Sequence, residues 1–300
     1  MRVAAVDVGT NSTRLLVARV DREHKVQVLQ SDLKTTRLGE GISSGYLDPL
    51  AMERTLTAVR QFVEQARESG AENIVLAATS AVRDAVNGRQ FADMIRQQTG
   101  CPLLILPGEM EAELSYRGVL AGMPGESDGV TVVDIGGGST EFSWQEAGSV
   151  HYHSVNVGAV RMTEGGHSDE QIAELLQPVL ARVKGSAGKL VAVGGTATTI
   201  AAMIQKLTTY DWQKVHGFPV SLRQVEDLLQ KLNAAALEER RSMPGLQPER
   251  ADIIPAGVRI IRAVLKGLGV SGFVASEADI LWGLVINAAI DVERKSGTAY

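Results

Sequence analysis

One pattern occurs twice in this 300-residue chain, and it restricts the fold more than any other feature. Val3-Ala-Ala-Val-Asp7-Val-Gly-Thr-Asn-Ser-Thr13 near the start is matched by Val130-Thr-Val-Val-Asp134-Ile-Gly-Gly-Gly-Ser-Thr-Glu141 in the middle. Each copy is a short β-type apolar run ending in Asp, then glycine, then small hydroxyl residues. That order reads as a strand, a tight turn and a second strand. Glycine lets the backbone approach an anion and aim several N–H groups at it. Ser and Thr add hydroxyl donors, and an Asp at the strand end suits Mg²⁺, directly or through water. Gly9, Thr10, Asn11 and Ser12 form one candidate phosphate loop, and Gly136, Gly137, Gly138, Ser139 and Thr140 the other. Asp7, Asp134 and Glu141 are the candidate metal ligands, and Glu141, which ends the second loop, is also a candidate catalytic residue that positions water.

The chain between and after these loops alternates strands with helices. Strands are expected at 2–8, 13–20, 25–35, 73–78 and 102–106. The helical spacing of Met52, Leu56, Val59, Phe62, Val63 and Ala66 predicts a helix over 49–69, and others over 88–99 and 109–121. Residues 122–129 read as a linker. A strand–loop–strand unit then begins again at 130–144, followed by a strand at 150–157 and a helix near 168–184. Leu190 to Thr198 is a third strand-to-glycine segment, opening a helix at about 197–207. Helices follow at 221–236, with Ser221 as cap, at 250–268 and at 277–294, with a strand at 272–275. The restart after residue 129 indicates duplication, and the alternation an α/β fold. The division expected is 1–122 and 123–300, with a C-terminal helix at about 284–300 able to pack back on the first domain.

Composition limits the function. Hydrophobic residues make up 44% of the chain, which supports a full core, and the net charge of −5 argues against a general nucleic-acid coat. The single cysteine, Cys101, excludes an internal disulfide framework and fits a reducing cytoplasm. No basic-then-apolar leader opens the chain, and the longest apolar-leaning run, 190–205, is too short and polar to span a membrane.

Each motif also has a plainer explanation. Asp7 to Ser12 could be an ordinary hairpin turn. Gly136-Gly-Gly138 is harder to dismiss, because three successive glycines are entropically costly and pack nothing. Neither copy has the Gly-Lys-Ser/Thr of a Walker loop or the glycine spacing of a dinucleotide fingerprint. Gly194, Gly195 and Thr196 open a helix, whose N-terminal N–H groups favour anions, although close strand–helix packing explains them equally well. Glu109, Glu111 and Glu113 suit a helix N-terminus as a solvated face, with a general base at Glu111 as the alternative. Arg14, Arg37, Arg83 and Arg89 become phosphate clamps only if the fold gathers them. His151 and His153 share a strand face but have no third ligand in sight for zinc.

Taken in order, the motifs resemble the exopolyphosphatase/guanosine-pentaphosphate phosphohydrolase (Ppx/GppA) family. The pieces that carry this are Asp7 to Leu16, Arg37-Leu-Gly-Glu-Gly41, Ala78 to Asn87, Gly108-Glu-Met-Glu-Ala112, Asp134 to Glu141, Gly194-Gly-Thr196 and Glu249-Arg-Ala-Asp-Ile253. The resemblance implies a duplicated actin-like (ribonuclease H-like) two-domain fold with the active site in the interdomain cleft. It also implies Mg²⁺-assisted removal of a terminal phosphoryl group. The substrate implied is inorganic polyphosphate or guanosine pentaphosphate, and a cytoplasmic homodimer is in keeping with the family. A kinase of the same fold, or a binding protein without turnover, remains an alternative. The family's catalytic glutamate falls on Glu111, with Pro107 and Met110 departing from the surrounding pattern. Arg83 and Arg14 become phosphate clamps, and Asp134, Glu141 and Asp7 the Mg²⁺ side. Near the end, Ile280-Leu-Trp-Gly283 stands where the family carries Leu-Arg-Glu-Gly.

Overall fold

The computed structural model describes residues 1–123, 129–185 and 188–297. Residues 124–128 of the expected linker lie outside the described residues. The chain divides into two compact units, Met1–Gly122 with Asp279–Tyr300, and Met123–Ala278.

The first unit runs β1 (Arg2–Val8), β2 (Thr13–Val20), β3 (Val26–Lys34), α1 (Pro49–Glu68), β4 (Asn73–Ala78), α2 (Ser80–Asp84), α3 (Gly88–Thr99), β5 (Leu103–Ile105) and α4 (Gly108–Gly122). The second runs β6 (Val130–Ile135), β7 (Thr140–Glu146), β8 (Ser149–Val155), α5 (Ala159–Glu164), α6 (Asp169–Val183), β9 (Lys189–Val193), α7 (Gly194–Ile204), α8 (Trp212–Val215), β10 (Pro219–Ser221), α9 (Leu222–Ala234), α10 (Leu237–Arg241), α11 (Ile254–Leu268) and β11 (Gly272–Ala275). The last helix, α12 (Ile280–Gly297), belongs to the first unit.

The two sheets repeat one topology. Among the described residues the first has the order β3-β2-β1-β4-β5 and the second β8-β7-β6-β9-β11-β10. In each, the central strand pairs antiparallel with the strand after the glycine turn and parallel with a later one: β1 with β2 and β4, β6 with β7 and β9. This is the duplicated actin-like α/β arrangement.

Alternation along β1 explains its unbroken apolar character. Ala4, Val6 and Val8 pack with Val59, Phe62, Phe91 and Ile95 of α1 and α3, while Val3 and Ala5 pack with Leu114 of α4 and Leu281, Leu284 and Val285 of α12. A strand covered on both faces carries apolar residues at every position. Each such large side chain contributes roughly 1.5–3 kcal/mol on burial. On β2 the same rule sends Leu15 and Val17 to the first layer and Leu16, Ala18 and Val20 to the second.

Three local differences from the sequence reading have physical causes. The return of the chain to the first unit starts at Asp279, earlier than the expected 284. Glycines allow it: a Cβ on Gly118 would lie 2.1 Å from the Asp279 carbonyl oxygen, and one on Gly283 would lie 2.2 Å from that of Leu114. Only bare backbone lets α4 and α12 cross this closely. Helix α7 starts at Gly194 instead of 197, because Gly194 takes a left-handed φ of +83° that turns β9 directly into the helix. The short helices α2 and α5 lack the several-turn apolar period that reveals longer ones. Ser221 does cap α9, in a reciprocal bond with Gln224. Among the described residues no helix is long and apolar enough to cross a membrane.

Candidate functional site

In the second unit the glycine turn is held from one side. Its Gly136 N–H donates to the Ser139 carbonyl at 3.0 Å, closing the turn. The start of α5 takes up the carbonyls: Ala159 N–H donates to Gly136 at 3.0 Å, and Val160 and Arg161 N–H to Gly137 at 2.8 and 3.1 Å. Arg161 Nε donates to the Gly138 carbonyl at 2.8 Å. In a trans peptide each C=O and the following N–H point in opposite directions. Pinning the carbonyls of 136, 137 and 138 therefore turns the N–H groups of Gly137, Gly138 and Ser139 to the far side. None of those three N–H groups donates to a described acceptor. Three successive unsatisfied N–H groups turned away from α5 are the donor set of an anion cradle. Gly158 makes the approach of α5 feasible, since a Cβ there would meet the Gly137 carbonyl at 2.4 Å.

The acidic side lies next to this cradle. Asp134 and Glu141 are directly opposed across β6 and β7. Glu141 is buried and accepts from Ser154 Oγ at 2.7 Å. Asp134 reaches toward α7: a Cβ on Gly194 would stand 2.5 Å from its Oδ1. Gly195 is covered in turn by the buried Arg250 guanidinium, whose Nη1 would lie 2.3 Å from a Cβ there. The first turn of α7 thus carries a carboxylate and a guanidinium side by side, with the buried Thr196 in the same turn. One expectation changes here. The Thr140 hydroxyl donates to the Val157 carbonyl at 2.5 Å, so its only proton ties β7 to the loop after β8 and not to a phosphate.

The first unit repeats the turn with different partners. Gly9 N–H donates to the Ser12 carbonyl at 3.0 Å, the same closure as in the second unit. Here the loop after β3 pins the carbonyls: Gly39 N–H donates to Thr10 at 2.7 Å and Arg37 N–H to Asn11 at 2.8 Å. Thr10, Asn11 and Ser12 are buried. Two oxygens in this region, Asp7 Oδ1 and Asn11 Oδ1, are buried without a hydrogen-bond partner. Such a group costs about 1–3 kcal/mol, which a bound ligand can recover. Burial pushes the Asp7 carboxyl above the ordinary carboxylate range; Arg14 opposes that shift, and Asp279 adds to it.

Arg14 does not stand ready as a clamp. Its Nη2 and Nε reach Asp7 Oδ2 at 2.6 and 3.1 Å, and Nη1 pairs with Asp279. Burial works against its charge, yet Asp279 and Asp7 together hold the guanidinium more firmly protonated than usual. Each of its three nitrogens thus donates to a carboxylate inside the first unit, so Asp7 and Asp279 compete with a phosphate for this guanidinium.

Glu111 sits in the first turn of α4 and is only 5% exposed, so the solvated-face reading of this acidic helix start does not apply to it. Arg83 of α2 forms an ion pair with it and also donates to the Leu106 carbonyl at 3.2 Å. A hydroxyl bond of 2.8 Å between Thr10 and Ser80 links the first glycine turn to the start of α2, and so toward Arg83 and Glu111. Asp7, Gly9–Ser12, Arg83 and Glu111 therefore form one connected group in the first unit. Asp134, Gly136–Thr140, Glu141 and Gly194–Thr196 form another in the second.

Sequence reading missed Gly158, Arg161, Arg250 and Asp279 as parts of these groups. Gly158-Ala-Val-Arg161 carried a usable signal, a glycine followed by a basic residue beyond a strand. Among the described residues no three His, Cys, Asp or Glu side chains converge as a metal site. The donors present nonetheless suit Mg²⁺, which takes hard oxygen ligands and is commonly held by one or two carboxylates with water and substrate oxygens. The unpaired Asp7 Oδ1 and the Asp134–Glu141 pair are donors of that kind.

Comparison with known proteins gives a consistent result. The model of the Ppx/GppA phosphatase family matches residues 16–283. Exopolyphosphatase 2 of Mycobacterium tuberculosis is 33% identical over 314 aligned positions, covering 96% of this chain and 98% of that protein. Among solved structures, an exopolyphosphatase from Cytophaga hutchinsonii superposes with a TM-score of 0.87 at 25% identity, covering 97% of this chain and 98% of the other. A Ppx/GppA family member from Aquifex aeolicus gives 0.80 at 27% identity, covering 97% and 98%.

Proposed function

Because the chain belongs to the Ppx/GppA phosphatase family, we propose that it releases the terminal phosphate of inorganic polyphosphate. The observation that carries this reading is the cradle of Gly137, Gly138 and Ser139 N–H groups, held open by α5. A terminal phosphate presents several acceptor oxygens, and a nest of backbone donors matches them without competing side-chain chemistry. The N-terminus of α7, with Arg250 over Gly195, adds positive potential in the same unit.

In the reaction, water adds to the terminal phosphorus and the bond from that phosphorus to the bridging oxygen breaks. Inorganic phosphate leaves, and the shortened chain keeps the bridging oxygen. Glu111 orients the water and accepts its proton. Arg83, already paired with Glu111, fixes that carboxylate and lends charge to the phosphate oxygens. Mg²⁺, when bound, would supply charge neutralisation for the phosphates; Asp134 and Glu141 are its candidate carboxylates in the second unit, and Asp7 is a candidate in the first. Phosphoryl transfer has a loose transition state, so positioning and charge stabilisation provide most of the rate.

The test is phosphate release measured side by side from tripolyphosphate, long-chain polyphosphate, guanosine pentaphosphate and ATP, with Mg²⁺ or with EDTA and no added acceptor. The expected result is Mg²⁺-dependent release from polyphosphate. Release from guanosine pentaphosphate alone would move the assignment to that nucleotide. Release from none of the four would remove the hydrolase reading.

A further inference from the structure

The periodicity of two strands brings together three charged residues that are far apart in sequence. On β1 the odd positions Val3 and Ala5 face α12; on β2 the even positions Leu16, Ala18 and Val20 do so. Asp7 continues the first series and Arg14 the second, and the two are direct cross-strand partners. Asp279 opens α12 on that same side of the sheet. The three meet beside the first glycine turn, with Arg14 between two carboxylates.

How the guanidinium divides its donors is informative. An Arg facing one carboxylate ordinarily binds it as a fork, one N–H to each oxygen. Here Nε and Nη2 converge on a single oxygen, Asp7 Oδ2, at 3.1 and 2.6 Å, while Nη1 is drawn to Asp279 Oδ2. Asp279 cannot turn away, because its Oδ1 accepts from the Leu281 N–H at 3.0 Å and caps α12. The outcome is a buried Asp7 Oδ1 with no partner, in the same hairpin as the equally unpartnered Asn11 Oδ1. Without Asp279, Arg14 would be free to swing into the fork and cover that oxygen.

We infer that Asp279 is a positioning residue for the first hairpin: acting through Arg14, it keeps the buried Asp7 Oδ1 free of a hydrogen-bond partner and thereby sets the affinity of this hairpin for a divalent cation. The inference rests on the reading above that Asp7 serves Mg²⁺. It makes Arg14 an aiming device and not a phosphate clamp, and it gives the start of α12 a functional task.

Asp279→Asn isolates the effect. The Asn carbonyl oxygen still accepts from Leu281 N–H and keeps the cap, while its amide group cannot accept from Arg14. The measurement is Mg²⁺ binding by calorimetry to the full chain without substrate, for wild type, Asp279→Asn, Asp7→Asn and the double variant. Circular dichroism melts serve as a folding control, and Arg14→Lys is a second way to break the link. The expected result is an affinity about tenfold weaker in Asp279→Asn and Arg14→Lys, typical of an outer residue orienting a metal-binding group. Asp279→Asn should add nothing in the Asp7→Asn background, since both act on one oxygen. Wild-type affinity in Asp279→Asn and Arg14→Lys overturns the inference, as does a fully additive double variant or a wild type that binds no Mg²⁺. If wild type binds Mg²⁺ but releases phosphate from no substrate, the proposed function fails, while the variants still decide this inference.

Discussion

Gly194 and Gly269 adopt similar left-handed backbones, with φ of +83° and +71°, yet they are under different constraints. Gly269 closes α11 with open space where a Cβ would go, whereas a Cβ on Gly194 would press on Asp134 Oδ1 at 2.5 Å and the Ile135 carbonyl at 2.9 Å. Gly269→Ala should cost about 1 kcal/mol, the strain of a left-handed residue alone. Gly194→Ala should cost about 3 kcal/mol, because overpacking is added to that strain. Urea unfolding of the two variants checks this, and equal losses would mean that the Asp134 contact is not tight. The sequence marked Gly194 only as part of a glycine pair, since its neighbour Asp134 lies on another strand. Arg14 teaches the same lesson. Its nearness to the first loop was legible, but Asp279, which takes one of its donors, lies at the other end of the chain.

At the scale of elements, the long pieces were legible because their apolar spacing repeats over several turns or pleats. Strand β1 and helix α1 fall at 2–8 and 49–68, against expected spans of 2–8 and 49–69. Helix α5 was missed because six residues hold fewer than two turns of period, yet it decides which way the second glycine turn presents its N–H groups. The crossing of α4 and α12 was equally hidden, since Gly118 and Gly283 look like isolated glycines until the helices meet. Gly283→Ala would place a methyl 2.2 Å from the Leu114 carbonyl. It should destabilise the chain by about 1–3 kcal/mol and lower phosphate release by displacing α4, which carries Glu111. Ser221→Ala removes the cap of α9 and should cost about 1 kcal/mol with phosphate release unchanged. Thermal melts paired with release assays separate these outcomes, and normal release from a folded Gly283→Ala variant would detach α12 from the chemistry.

At the scale of the whole molecule, a duplicated motif in the sequence becomes a duplicated topology, with the same turn closure of 3.0 Å in both units. The copies have diverged in chemistry. The second offers three bare N–H groups beside two carboxylates, and the first offers unpaired oxygens with a link to Glu111. That division of labour was only partly visible beforehand: the glycines announced an anion site, but which N–H groups point outward depends on partners distant in sequence. The central claim is that Glu111 activates water for attack on a terminal phosphate. Glu111→Gln tests it most directly, with tripolyphosphate binding and phosphate release measured on the same folded preparation. The account predicts binding close to wild type and release slower by about a hundredfold or more. Release at the wild-type rate from folded Glu111→Gln would contradict it.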